Sequence, residues 1–299
     1  MTSLASLLKD PPPEFVFELS DAGIAYSGAG SSGQPGFEPL ENEVISISPL
    51  RDNVLRPEVL SAKVKSLVGG NGNRKRRKAV LVLPDFCARI SVLEFDAFPA
   101  EPEQQLALVR FRLKKSVPFD VESAAVSYYP QEVSGTKGGK RFEVVVVAAA
   151  LEIVARYEAP FRAAGLQTGI VTTSILATLE MEKSKGITLV AKLSGRVLTV
   201  AVLKGGMLKL VRCVELAELN TEEIMAVLFP TVAFAEDELA ERPDRVLLCG
   251  FGPIGEQYAT QWSTELGVPF EQLRSRFGTP GQYNAGLLGY LESPGAARA

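Results

Sequence analysis

Two rhythms of apolar residues run through this chain. Short runs alternate apolar and polar residues at a period of two, and longer ones repeat apolar residues every three or four positions. The first marks strands and the second amphipathic helices. Positions 15–19 alternate as a strand, Asp21-Ala22-Gly23 reads as a turn, and 24–27 reads as the returning strand. The Gly/Ser-rich run 28–36 reads as a loop and 44–47 as a third strand. In 57–67, Val59, Leu60, Val64 and Leu67 keep helical spacing, with proline near the first turn. A loop, GGNGNRKRRK, precedes a regular strand at 79–83, and a second strand at 89–95 follows Pro84-Asp85. Pro102 opens a helix to about 116, with Leu106, Val109 and Leu113 on one face. Glu103 suits its N-terminus and Lys114-Lys115 its C-terminus, and Pro118 closes it.

Strands are predicted at 124–129 and 142–148, a helix at 152–164 stopped by Gly165, a strand at 169–172 and a helix at 174–183. A hairpin at 187–193 and 197–203 and a strand at 208–213 precede a helix at 221–239. The chain then reads as strand 245–249, helix 254–266, strand 269–273 and helix 284–291. The order of three strands and a helix thus occurs early and again from Ile187, which predicts two similar lobes facing each other.

Composition narrows the chemistry. A length of 299 residues allows two domains, and 46% apolar with 22% charged residues is the balance of a globular protein. A net charge of −3 gives no general attraction to nucleic acid or anionic lipid, so neither is expected as a partner. The basic run from Arg74 to Lys78 reads either as a grip for a phosphate or acidic partner or as a solvated loop. Cys87, Cys213 and Cys249 are far apart and form no CxxC pair, which predicts buried thiols rather than disulfides or a zinc site. The most apolar run, 144–151, falls short of the roughly 18 residues of a membrane span. The start, MTSLASLLKDPPPEF, lacks the pattern of a signal peptide. The expected location is therefore cytoplasmic, with membrane contact only through a partner. Histidine is absent, which removes imidazole acid/base chemistry, Ser-His-Asp and Cys-His catalysis, and histidine-based metal sites.

Several stretches resemble one family. KAVLVLPDFCARISVLEFDAFP is followed by EQQLALVRFRLKKSVPFDVESAAVSYYPQ, then FEVVVVAAALEIVARYEAPFRAAGLQTGIV and LLCGFGPIGEQYATQWSTELGVPFEQL. In composition and order these are similar to the PilM family of type IV pilus assembly proteins. The carrying elements are Leu83-Pro84-Asp85, the helix at 102–116, Val117-Pro118-Phe119 and Tyr128-Tyr129. The resemblance implies an α/β, actin-like (ribonuclease H-like) two-lobed fold with a reduced second lobe. It implies a flexible tail at 1–13, a first lobe at 14–183 with a peptide-groove subdomain inserted at about 78–154, and a second lobe at 184–278. Residues 279–299 would then form a helix crossing back to the first lobe, and a tail.

Such folds hold ATP through two hairpins of pattern Asp-x-Gly and a glycine-rich adenosine turn. Here the first hairpin offers Glu18 and Ser20, and the second Lys192 and Ser194. A lysine cannot ligate Mg²⁺, and a Cβ obstructs the approach of backbone to phosphate. Lys192 would instead pair with a phosphate or with a carboxylate, or be solvated. The adenosine turn is kept as Gly250-Phe251-Gly252-Pro253, although glycines at such a junction also serve close helix–strand packing. Between Glu215 and Asp244 there is room for little more than one helix, where ATP-binding relatives carry a nucleotide-walling subdomain. No cofactor and no metal are expected, and the chain reads as a pseudo-ATPase.

The expected function is that of a scaffold in an inner-membrane alignment complex. The resemblance implies that it binds the cytoplasmic N-terminal peptide of a PilN-like membrane protein, with the pilus motor ATPases as further partners. Val117, Pro118 and Phe119 mark the neighbourhood of the peptide groove, with Phe119 either in the groove or in the core. The alternatives are an ATP-dependent enzyme or switch of the same superfamily, sugar-kinase-like or filament-forming, and an actin-like scaffold of a type II secretion system.

Overall fold

The computed structural model describes residues 13–28, 34–69, 77–134 and 140–293. Most of the expected tail and Arg74, Lys75 and Arg76 of the basic run lie outside them; Arg77 and Lys78 open a strand.

Thirteen strands form three sheets among the described residues. The first sheet begins with β1 (Phe15–Leu19), β2 (Gly23–Gly28) and β3 (Gly36–Pro39), an antiparallel meander. Helix α1 (Pro57–Val68) leads to β4 (Arg77–Leu83), which pairs in parallel with β1. A three-stranded sheet follows in sequence. It is built from β5 (Arg89–Phe95), helix α2 (Pro102–Leu113), β6 (Ala124–Ser134) and β7 (Lys140–Ala150), with β7 central. Helix α3 (Leu151–Ala163) returns the chain to the first sheet as β8 (Leu166–Thr173), parallel to β4. Helix α4 (Ser174–Thr178) then leads away, extended by a 3-10 turn at Leu179–Met181.

The second sheet repeats the plan. Strands β9 (Ile187–Ser194), β10 (Val197–Lys204) and β11 (Met207–Glu215) form the meander, and α5 (Thr221–Glu238) leads to β12 (Arg245–Cys249). Helix α6 (Gly252–Leu266), β13 (Phe270–Gln272) and α7 (Ala285–Glu292) complete it. The strand orders are β3-β2-β1-β4-β8 and β11-β10-β9-β12-β13, so β1 and β9 hold the same central place. The duplication expected from the sequence is present strand for strand.

Alternation along the central strands divides the layers. Phe15, Phe17 and Leu19 point to one face and pack with Leu60 and Val64 of α1 and with Ile153, Tyr157 and Phe161 of α3. Val16, between them, packs on the other face with Val80, Val82, Ala177, Leu287 and Tyr290. In the second sheet Leu189, Ala191 and Leu193 meet α5 and α6, whereas Val190 meets Ile175 and Ala285. Helices α4 and α7 are therefore held between the two sheets, each contributing to the apolar clusters of both. The close approach of α7 to α4 depends on Gly286 and Gly289, where a Cβ would run into Ser174 and into the Ala177 backbone.

The three-stranded sheet is covered on one face by Val109 and Leu113 of α2. Its other face, through Ile90, Val92 and Val145, packs with Leu208 and Val211 of β11. The Gln131 amide bridges to β11, accepting from Leu208 N–H and donating to its carbonyl, each at 2.9 Å.

The structure departs from the sequence reading in two elements. The third strand is Gly36–Pro39, not 44–47; Val44 and Ile45 are buried in a loop, with one isolated bridge from Ile45 to Val54. Burial of apolar side chains there imitates a strand pattern without a partner strand. The helix expected at 174–183 is α4 followed by the 3-10 turn, ending where Glu182 takes extended backbone.

Candidate functional site

The ends of β1 and β9 meet at the point where the nucleotide hairpins were expected. Glu18 and Lys192 stand on these two equivalent strands, and both are buried. Asp85, just beyond β4, completes the group. The Lys192 ammonium lies 3.1 Å from Asp85 Oδ2, with both side chains only 2% exposed. The other oxygen of Asp85 accepts the Ile175 N–H at 2.6 Å. Glu18 Oε1 accepts from Ser174 Oγ, and Oε2 accepts the Leu287 N–H at 2.8 Å. The two carboxylates thus satisfy backbone donors in the first turns of α4 and α7, groups that have no partner within the helix and that favour negative charge.

The electrostatics follow from this arrangement. Burial pushes the Glu18 carboxyl above its ordinary value, against the pull of Lys192 and of its hydrogen bonds. For Lys192, burial works against the ammonium, but Asp85 and Glu18 together outweigh it and raise its pKa above the usual lysine value. The lysine is ion-paired and inaccessible, so the solvated alternative is excluded.

The remaining hairpin residues have structural partners. Ser20 Oγ donates to the Gly23 carbonyl at 2.9 Å and accepts the Gly23 N–H at 3.1 Å, closing the β1–β2 turn. Ser194 ends β9 opposite Val197. Gly250, at φ +77°, is required by packing, because a Cβ would collide with the Leu193 carbonyl and lie 3.1 Å from Gln282 Cα. Gly252, at φ +50°, opens α6 with free space beside it.

Hydrated Mg²⁺ with a triphosphate does not fit these residues. Each oxygen of Glu18 and Asp85 already accepts a hydrogen bond, and the cation that these carboxylates face is the Lys192 ammonium. Among the described residues no group of three or more His, Cys, Asp or Glu is placed to hold a metal ion.

A second feature lies behind this cluster. A groove of about 320 Å³ separates the first sheet from the three-stranded sheet. Leu83, Cys87 and Ala88 line it next to Asp85; Ala125, Val126 and Ser127 of β6 and Val171, Thr172 and Thr173 of β8 form opposing walls. Among the described residues no charged side chain lines it. Val117, Pro118 and Phe119 are elsewhere, in the turn after α2. Val117 and Phe119 are half-buried against the cluster beneath that helix, and Pro118 is exposed.

Sequence reasoning singled out Glu18 and Lys192 but not Asp85, Ser174 or Thr173 as their surroundings. Asp85 lies 107 positions from Lys192, and no local pattern joins them. The available signal was an aspartate following proline at the end of an apolar strand.

No family model matches the chain, and no curated protein sequence matches it. Solved structures do. A chain of the PilM-PilN type IV pilus biogenesis complex is similar at a TM-score of 0.67 with 18% identity, covering 96% of this chain and 97% of that one. A protein of Bacteroides thetaiotaomicron with an actin-like ATPase fold and unknown function matches at 0.51 with 12% identity, covering 86% and 90%. With the duplicated sheets and the crossed helices between them, these likenesses establish that the chain has the actin-like ATPase fold.

Proposed function

We propose that this chain is a scaffold of a type IV pilus inner-membrane complex and that it does not turn over ATP. It holds the cytoplasmic N-terminal peptide of a PilN-like membrane protein in the groove between the first sheet and the three-stranded sheet. The observation that carries this reading is the uncharged groove between the β8 edge of the first sheet and a face of the three-stranded sheet, on a chain with the fold found in the PilM-PilN complex. Apolar peptides in extended form are recognised by such preformed grooves. No described helix is long and apolar enough to cross a membrane, so membrane attachment is assigned to the partner. The pilus motor ATPases are further partners in this reading, and the location is the cytoplasmic face of the inner membrane.

The pseudo-ATPase part rests on the Lys192–Asp85 pair and on the engaged oxygens of Glu18, which leave these carboxylates committed to partners within the chain. In this reading 14–183 form the first lobe, with about 78–154 as the groove subdomain, 184–278 the second lobe, and the last helix ties them. Val117 and Phe119 act on the groove at a distance, by packing in the cluster that seats α2 on the three-stranded sheet, with Pro118 in the turn between them.

Calorimetric titration tests both halves. A synthetic N-terminal peptide of a PilN-like protein from the same genome should bind saturably, and Mg-ATP should give no saturable heat at millimolar concentration. Micromolar, Mg²⁺-dependent ATP binding would instead support the ATP-dependent switch. No peptide binding, together with sedimentation onto protein-free liposomes, would overturn the scaffold reading.

A further inference from the structure

We infer that the peptide joins the first sheet as a strand beside β8, and that Thr173 is the polar group that fixes its position there. The inference rests on the groove being the peptide site, and it adds the mode of binding and the residue that selects for it.

The mode follows from which residues line the groove. Side chains of successive strand residues point to opposite faces, so a wall contributed by one face shows every second residue. Here three consecutive residues of β8 and three of β6 border the space. On the β8 side it is the strand edge that borders it, β8 being bonded among the described strands to β4 alone; on the other side Val147 and Ala149 of β7 pair with Ser127 and Ala125 and present a face of the three-stranded sheet, whose own edge there is β6. The two edges differ. Natural edge strands are blunted by charge or proline. Strand β6 carries Pro130, whereas β8, with the sequence LQTGIVTT, has neither charge nor proline. Ile170 and Val171 are nonetheless 46% and 37% exposed on it. An apolar, undefended edge facing a groove is suited to accept an added strand.

Thr173 supplies the polar contact. It is the N-cap of α4, where a threonine hydroxyl ordinarily accepts an N–H from the first turn of the helix. That role is taken by Asp85, whose Oδ1 accepts the Ile175 N–H. Thr173 lines the groove, the residue is 3% exposed, and its buried Oγ1 has no hydrogen-bond partner among the described residues. A buried hydroxyl left without a hydrogen bond is unfavourable, and an incoming backbone or side-chain amide would satisfy it. Small walls at Ala88, Ala125 and Ala149 and the lack of charge add the rest of the specificity, for an extended segment with uncharged aliphatic side chains.

The same synthetic peptide tests this against Thr173→Val, Thr173→Ser and the natural protein. The valine variant keeps the volume and loses the hydroxyl, so it should bind about tenfold more weakly while melting no lower than the natural protein. The serine variant should restore most of the affinity. Peptides N-methylated at single amides should lose binding at alternate positions, as strand pairing requires; this readout leaves the protein unaltered. Equal affinity of the valine variant, or indifference to N-methylation at every position, would overturn the inference and leave the scaffold reading standing. Absence of binding by the natural protein would remove both.

Discussion

Lys192 is a buried cation held in place by its neighbours. Its ammonium is buried against Asp85 and near Glu18, so removing it leaves carboxylates without a counter-charge in a place water cannot reach. Lys192→Met should therefore cost about 3–5 kcal/mol, read from denaturant midpoints. The double variant Asp85→Asn/Lys192→Met leaves Glu18 as the buried carboxyl of the group, and burial already pushes that carboxyl toward its neutral form, so the variant should recover much of that loss. A loss in the double variant equal to the sum of both single losses would show that the residues do not act as a pair. The pH dependence has a definite sign. Because the folded state raises the Lys192 pKa, its stabilisation is complete below the unfolded value of about 10.4 and is lost as pH rises through the higher folded value. Alkaline unfolding should thus be steeper in the natural protein than in the double variant. The thiols give a second prediction. Burial pushes Cys249 up to about 12 and raises Cys87 further, and both are shielded, so their alkylation at neutral pH should require unfolding; Cys213 is half-buried. Rapid labelling of more than one thiol in the folded chain would contradict it.

At the scale of elements, most of the fold was legible because the core strands and their covering helices carry their own periodicity. The strand at 89–95 and the one at 245–249 have the predicted bounds, and the hairpin of β9 and β10 differs from prediction only at its ends. Local pattern failed where structure is set by tertiary contact. The exposed β3 is a strand only through its pairing with β2, and buried Val44 and Ile45 looked like one without pairing. The candidate site was less legible still. Glu18 and Lys192 departed visibly from a metal-binding pattern, but their partners Asp85, Ser174 and Leu287 arrive from three other elements. The contact of α7 with α4 gives the prediction proper to this scale. Alanine favours a helix over glycine by about 1 kcal/mol, so Gly289→Ala would stabilise an isolated α7. Here the new Cβ would lie 2.6 Å from the Ala177 carbonyl carbon and 2.8 Å from Thr178 Cα, which are backbone atoms of a packed helix. Overpacking should win, with a net loss of about 1–3 kcal/mol in thermal or denaturant unfolding. A variant as stable as the natural protein would mean that the two helices can separate freely.

In the whole molecule, the ion cluster and the groove share one piece of chain. The segment from Leu83 to Ala88 holds Lys192 of the second sheet through Asp85 and lines the groove through Leu83, Cys87 and Ala88. The start of α4 does the same, giving Ile175 N–H to Asp85 and Ser174 Oγ to Glu18 while Thr173 and Leu176 line the groove. In a fold that closes around a nucleotide, the shape of such a groove would follow the state of the ligand. Here a cross-sheet tie is made by side chains of the chain itself, and under the proposed function the groove would be held ready without an effector. Two results are expected from one set of peptide titrations. Millimolar Mg-ATP or Mg-ADP should leave the affinity of the natural protein unchanged, since a ligand shifts an equilibrium only through differential binding to its states. In Asp85→Asn/Lys192→Met, with stability largely recovered but the tie absent, affinity should fall, because the groove is then preorganised only part of the time and apparent affinity scales with that fraction. A double variant that folds stably and binds the peptide as tightly as the natural protein would show that the ion pair holds the sheets together without shaping the groove. An affinity that depends on the nucleotide would show that the cleft still responds to one.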